Sequence, residues 1–293
     1  MNQPSQTEYT VKLPRGLSLK LGPRTLIMGV LNVTPDSFSD GGLYYLPDLA
    51  VERAHQMIEA GADILDIGGE STRPGAMPVP PETELKRVIP VIEQISSRSN
   101  VIISIDTTKA QVAREALAAG ASIVNDTTGL HGDPALVKAA ANASAAVVAM
   151  HIKGTPRTMQ QQPVYHDLIG EIAGYLRESI ALAEANGVPA GQVIIDPGIG
   201  FGKTVQHNLE IMARLRELQA LHRPILIGTS RKSTIGQITG KPVDQRIFGT
   251  AATVAICIIN GAAIVRVHDV SEMVDVVKMA DAIRSARRPN TEQ

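Results

Sequence analysis

Four polar residues, Asp106, Asn125, Asp196 and Lys232, stand at or just behind the ends of short apolar runs. The most informative is Asp196, which follows Val193-Ile194-Ile195 and opens a glycine-rich segment running through Gly198, Gly200, Phe201 and Gly202 to Lys203. In parallel α/β folds the reactive groups lie at the C-terminal ends of strands. Two carboxylates, an amide and a lysine gathered there make a polar set that a barrel core tolerates only with a ligand or with mutual pairing. Pairing of Asp196 with Lys232 accounts for two of the four and leaves the others unexplained.

Cationic groups surround the same end. The segment Gly68-Gly69-Glu70-Ser71-Thr72-Arg73-Pro74-Gly75 follows an apolar run and carries Arg73, whose planar fork suits an oxyanion. Arg266 and His268 lie two residues apart, on one side of an extended segment. The plainer reading is that Arg73 and Arg266 pair with nearby acids. A further loop, Asn32 to Gly42, holds Asp36, Asp40, Phe38 and several hydroxyls, and could serve only to cap a helix.

These groups need elements to hold them. Apolar runs near 26–31, 63–68, 101–105, 122–125, 145–150, 192–195, 224–227 and 263–266 read as strands. Helical periodicity falls between them near 48–60, 82–97, 108–119, 134–143, 167–186, 205–220, 244–260 and 271–286, with several stretches ending at glycine. Strict alternation of eight strands and eight helices predicts a (β/α)8 TIM barrel spanning 22–286. Residues 1–21 read as an N-terminal β-hairpin covering the lower mouth, and 287–293 as a frayed tail. A Rossmann arrangement fits less well, because the glycines at 198, 200 and 202 have the wrong spacing for a dinucleotide fingerprint.

With 28 basic and 29 acidic residues the net charge is −1, so the chain has no field to hold nucleic acid or an anionic membrane. Any anion must be held locally. The single cysteine, Cys257, sits in an apolar stretch and reads as core. Absence of a signal-like start and of any long apolar run makes the cytoplasm the expected compartment.

Five segments together carry a resemblance: Met28 to Gly42, Gly69 to Gly75, Asp196 to Lys203, Ser230-Arg231-Lys232-Ser233 and Arg266-Val267-His268-Asp269. In these the chain resembles the dihydropteroate synthases, pterin-binding barrels of folate biosynthesis, over nearly its whole length. The resemblance implies condensation of 6-hydroxymethyl-7,8-dihydropterin pyrophosphate with p-aminobenzoate, giving 7,8-dihydropteroate and pyrophosphate by a dissociative route.

It also implies roles for residues. Asp196 would accept from the pterin amine and N3–H, Lys232 would donate toward O4 and N5, Asn125 and Asp106 would complete the edge, and Met150 would pack on the ring. Asn32, Arg73, Arg266 and His268 would hold the pyrophosphate, with Mg²⁺ bound through Asn32. Phe38, Thr72, Pro74, Phe201 and Ser233 would line the p-aminobenzoate pocket, where sulfonamides compete, and Asp36 would steady the cation. Neither Phe38 nor Phe201, two of only three phenylalanines, is expected in a core role, since both lie in polar or glycine-rich loops. A homodimer is implied, with the apolar helices near 244–260 and 271–286 at the interface. The alternative is a methyltetrahydrofolate–corrinoid methyltransferase on the same barrel, which would have no use for the anion site around Arg73, Arg266 and His268.

Overall fold

The computed structural model describes residues 8–34, 46–71, 76–155, 158–159 and 163–286. Its elements run β1 (Tyr9–Lys12), β2 (Ser18–Leu21), β3 (Leu26–Asn32), α1 (Leu46–Glu59), β4 (Ile64–Gly68), α2 (Pro81–Arg98), β5 (Ile102–Asp106), α3 (Ala110–Ala119), β6 (Ile123–Asp126) and α4 (Pro134–Asn142). They continue with β7 (Ala146–Met150), α5 (Leu168–Ala185), β8 (Val193–Asp196), α6 (Val205–Arg214), β9 (Leu226–Ile227), α7 (Ser233–Thr239), α8 (Ile247–Ile259), β10 (Ile264–Val267) and α9 (Val270–Ala286).

Strands β3 to β10 form one parallel sheet in the order β8-β7-β6-β5-β4-β3-β10-β9. A bridge between Ile195 and Ile225 joins its two edges, so the sheet closes into the expected TIM barrel. Period-2 alternation sorts the strand residues. Leu65, Ile67, Ile103, Ile105 and Val124 face outward into the layer shared with the helices, while Met28, Ile64, Ile123, Val148, Ile194 and Ile264 fill the lower lumen. Each such side chain, fully buried, contributes roughly 1.5–3 kcal/mol.

The hairpin β1–β2 pairs antiparallel, and its Val11, Leu13, Leu19 and Leu21 join the lumen cluster. It therefore closes the N-terminal end of the barrel, as expected from its apolar residues. Side chains fasten it: Arg15 Nη2 donates to Gly120 O (2.6 Å) and Ser122 Oγ (2.8 Å), and Gln192 Nε2 donates to Lys12 O (2.8 Å).

Two helices differ from the expectation. The stretch expected as one helix at 244–260 begins only at Ile247, and α7 precedes it within what read as loop. Seven residues containing Gly236 and two threonines give little periodic signal. Gly236 is there for contact: a Cβ would lie 2.3 Å from Arg246 Nη2, whose guanidinium braces the loop above. The stretch expected at 205–220 tightens after Arg214 into a 3₁₀ turn over Leu215–Leu221.

Candidate active site

Register brings the predicted polar residues to one level. Asn32 pairs with Gly68, Gly68 with Asp106, and Asp106 with Asn125, across four adjacent strands; Met150 pairs with Asp196. All lie at or next to the last residue of their strands at the C-terminal mouth, above the apolar plug. A Cβ on Gly68 would sit 3.5 Å from Asp106 Cβ and 3.8 Å from Asn32 Oδ1, so glycine keeps the mouth open between them.

The loop after β8 is built by close approach. Gly198 and Gly202 have positive φ (69° and 68°), and Cβ atoms there would fall 2.0 Å from His151 O and 2.3 Å from Lys153 O. The loop is thereby pressed against the one that follows β7. Asp196 Oδ1 accepts from Gly198 N (2.7 Å), and Lys203 Nζ reaches His151 Nδ1 (2.8 Å) and Phe201 O (2.9 Å). Burial, then the nearby Lys203, pushes His151 down to about 2, so its ring is a neutral acceptor. Lys203 ended a motif without an assigned role; its role here is to hold the loop that carries Phe201.

Phe201 lies apart from the main cores. It is buried, in a small cluster with Met150 and Met159. The Lys232 ammonium lies 4.3 Å from the Phe201 ring centroid. Lys232 also makes no ion pair with Asp196 within 4 Å among the described residues, so the simplest pairing does not hold. Burial and the neighbouring Arg266 charge lower the Lys232 ammonium to about 8, against the pull of Asp196. Asp196 is raised by burial, opposed by its Gly198 N–H bond and by Lys232. Burial works against the charged form of both groups, which is a mark of a functional site.

Arg266 is held differently. Its Nε donates to Asp66 Oδ2 (2.6 Å) and its Nη2 to Asp106 Oδ2 (2.7 Å). Burial disfavours its charge, but these carboxylates outweigh that and raise it further. Asp106 is itself raised by burial in spite of Arg266. The plainer reading, in which Arg266 pairs with acids, thus describes this state. Asp66 was not singled out from the sequence, although a carboxylate in the apolar run Ile64-Leu65-Asp66-Ile67 was the available signal; it is fully buried.

His268 stands beside Ser230, its Nδ1 2.9 Å from Ser230 Oγ, which also accepts from His268 N (3.2 Å). A serine proton given to Nδ1 would place the ring proton on Nε2. Burial, then Arg266 and Arg231, lower His268 to about 3. Between Ser230 and Lys232, Arg231 takes a left-handed φ of 58° and is gripped from several sides: it pairs bidentately with Asp269, its N donates to Thr250 Oγ1 (3.2 Å), and its O accepts from Arg246 Nη1 (2.9 Å). Ser233 opens α7 directly after Lys232.

Behind the second loop lies another ion network that the sequence did not reveal. Lys109 joins Glu70 and the fully buried Glu84, and Glu70 Oε1 accepts from Val79 N (2.9 Å). Of the predicted residues, Asp36, Phe38, Thr72, Arg73 and Pro74 lie outside the described residues. Among the described residues there is no cluster of three or more acidic, histidine or cysteine side chains suited to a metal. Asn32 offers a single amide oxygen, and a cation that takes most of its ligands from phosphate and water fits such a donor set.

The pterin binding enzyme family model matches residues 28–268. The chain belongs to this family. Dihydropteroate synthase of Synechocystis sp. is 48% identical over 273 residues, covering 92% of this chain and 94% of that protein. The crystal structure of Yersinia pestis dihydropteroate synthase with a sulfonamide drug complex superposes with a TM-score of 0.89 at 43% identity, covering 96% of this chain and 100% of that one. Xanthomonas albilineans dihydropteroate synthase with 4-aminobenzoic acid gives a TM-score of 0.89 at 42% identity, covering 97% and 100%. Among pterin binding enzymes the chain is thus an enzyme of the dihydropteroate synthase type, and the resemblance seen in the five motifs extends over the whole barrel. No helix of the described residues is long and apolar enough to cross a membrane.

Proposed function

We propose that this chain joins 6-hydroxymethyl-7,8-dihydropterin pyrophosphate to p-aminobenzoate, and that its own residues divide the work as follows. The observation that carries the division is the lumen mouth, where acceptors (Asp106, Asn125, Asp196) lie at the ends of their strands and a donor (Lys232), leading into α7, stands within reach of Asp196, Asp106 and Arg266. A pterin's amino-oxo edge presents N–H donors beside a carbonyl and ring nitrogens, and so needs both kinds of partner. Asp196 and Asn125 accept from the amine side, Lys232 donates to the oxo side, and Met150 and Phe201 supply apolar contact. Asp106 closes the N1/N8 side.

The pyrophosphate end faces Asn32, Arg266 and His268, joined by Arg73. His268, held neutral, donates from Nε2, so it binds the anion without carrying a charge that departure would strand. A bound Mg²⁺, given one oxygen by Asn32, would offset charge on the leaving pyrophosphate. The lumen then stabilises the pterin cation through Asp106 and Asp196, aided by Asp36, and the amine of p-aminobenzoate, bound by Phe38, Thr72, Pro74, Phe201 and Ser233, attacks it.

The chain works in the cytoplasm as a homodimer. Ala255 and Ile259 of α8 with Val276, Met279 and Ile283 of α9 line an apolar groove on the outside of the barrel, and Met279 and Ile283 are exposed in the single chain. Sedimentation should give the dimer mass, and Met279→Glu should shift it toward monomer.

Coupled measurement of pyrophosphate release tests the reaction. Release should require both the pterin pyrophosphate and p-aminobenzoate. Release without the amine would mean a hydrolase, and no release with both would end the reading.

A further inference from the structure

Asp66 belongs to none of the roles above, yet this buried carboxylate ties two of the proposed ligand residues together. It lies at mid-strand in β4 and is fully buried. One oxygen, Oδ2, accepts from two of the proposed ligand residues, Arg266 through Nε (2.6 Å) and Asn125 through Nδ2 (3.0 Å). Its other oxygen has no hydrogen-bond partner among the described residues.

A primary amide has a donor end and an acceptor end, and either can face a ligand. A carboxylate paired with arginine can only accept. The Asn125 NH2 is therefore turned toward Asp66, and the planar amide must carry its carbonyl oxygen away on the other side. At the position its carbonyl oxygen takes, Asn125 can then accept from a ligand N–H, and it cannot turn its NH2 to that position without giving up the bond to Asp66.

We infer that Asp66 is a specificity-setting positioning residue that makes Asn125 a one-way acceptor, so that the lumen takes a 2-amino pteridine and rejects a 2-oxo one. This rests on the assignment of Asn125 to the pterin amine. A pocket built to pair a ligand polar group discriminates strongly when the group is replaced, because its own buried groups are left unpaired. Freed from Asp66, the Asn125 amide turns over and donates to the 2-oxo ligand at little cost.

The test compares 6-hydroxymethylpterin with 6-hydroxymethyllumazine, its 2-oxo analogue, by calorimetry. The parent should prefer the pterin by about 100-fold or more, since one lost bond is about tenfold and an acceptor facing an acceptor adds to it. In Asp66→Ala that ratio should fall at least about tenfold, chiefly because lumazine binds better than it does to the parent, and adding Asp66→Ala to Asn125→Ala should change the ratio no further. Loss of binding for both ligands at an unchanged ratio would show that Asp66 only supports the barrel and would overturn the inference. If Asn125→Ala itself leaves the ratio intact, the amine assignment falls and takes the inference with it; a ratio that collapses in Asn125→Ala but not in Asp66→Ala overturns the inference alone.

Asn125→Asp keeps the inference open to refutation if Asp66→Ala does not fold. It is isosteric, and it sets two carboxyls at the present 3.0 Å contact in a lumen also faced by Asp106, Asp196, Lys232 and Arg266. One proton must be shared there, so pterin affinity in Asn125→Asp should fall about tenfold more steeply than the parent's as pH rises from about 5.5 to 8.5. A profile parallel to the parent's means the Asn125 amide does not face Asp66 with its donor, and the inference fails.

Discussion

The lower and upper halves of the lumen are held by opposite means. Below, Leu21, Met28, Ile64, Ile123, Ile194 and Ile264 pack against one another in one apolar cluster. Above, Asp66, Asp106, Asn125, Asp196 and Arg266 occupy the upper parts of the barrel strands, and Lys232 stands beside them at the start of α7. Packing below is redundant, since each side chain touches several others and the stabilisation is spread. Polar contacts above are singular, so each group is either partnered, as Arg266 is, or displaced in pKa, as Lys232 is. The contrast divides labour within one barrel: the lower half holds the fold together, and the upper half keeps charges unsatisfied until a ligand meets them.

The comparison breaks first under substitution on each side. Met28→Ala should cost about 2–5 kcal/mol, as for other buried large-to-small changes, and lower the melting temperature while leaving pterin affinity per folded molecule unchanged. Asp196→Asn should do the reverse, reducing pterin binding tenfold or more through a lost charge-assisted contact with little change in melting. Scanning fluorimetry and calorimetry on both proteins decide it. Should Asp196→Asn unfold the chain and Met28→Ala cripple binding, the division is wrong.

Acidity sharpens the contrast next. The Lys232 ammonium, lowered to about 8 by burial and Arg266, is protonated below that pH in the free enzyme and loses its charge as pH rises through it. Affinity for the pyrophosphate-bearing pterin should therefore decline above about pH 8, and Lys232→Arg should move that limb out of the measured range. An unchanged alkaline limb in Lys232→Arg would assign it to another group. Lys232→Ala should weaken pterin binding at every pH.

Much of this division was legible in the sequence. Strand ends, the lower plug and the level of Asp106, Asn125 and Asp196 follow from period-2 alternation and from where apolar runs stop. Partner choice was not legible. That Arg266 turns inward to Asp66 and Asp106, that Lys232 rests over Phe201, and that Lys109 joins Glu70 to Glu84 all depend on contacts between residues far apart in the chain. Asp66 escaped because one acid in an apolar strand looks like an interruption until its partner, 200 positions away, is placed beside it. α7 escaped because its stability comes from Arg246 and Asn208 contacts more than from propensity.

A smaller effect is expected at Arg231, whose left-handed backbone is held by Asp269 and Arg246. Arg231→Gly relieves the strained φ, worth about 1 kcal/mol, and removes the grip that aims Lys232. Melting should shift little, whereas kcat/KM should fall about tenfold. Arg231→Lys, which keeps charge but not the bidentate fork, should fall in between. Equal activity for the glycine variant and the parent would mean that α7 alone positions Lys232.

The smallest predicted effect is at Ser230, and it tests how the upper half binds an anion without adding charge. Ser230 Oγ accepts from the His268 backbone and lies 2.9 Å from its Nδ1, and its proton on that nitrogen would favour the tautomer with the ring proton on Nε2. Removing the hydroxyl leaves the imidazole in place but lets its proton move to Nδ1, so the donor toward the pyrophosphate is present only part of the time. Ser230→Ala should therefore weaken the pyrophosphate-bearing pterin about three- to tenfold, within one net hydrogen bond, and leave bare 6-hydroxymethylpterin unaffected. His268→Ala should show the same selectivity and a larger loss. Parallel titrations of the two ligands read the difference directly; if Ser230→Ala weakens both equally, the serine supports the barrel mouth as a whole and the tautomer argument fails.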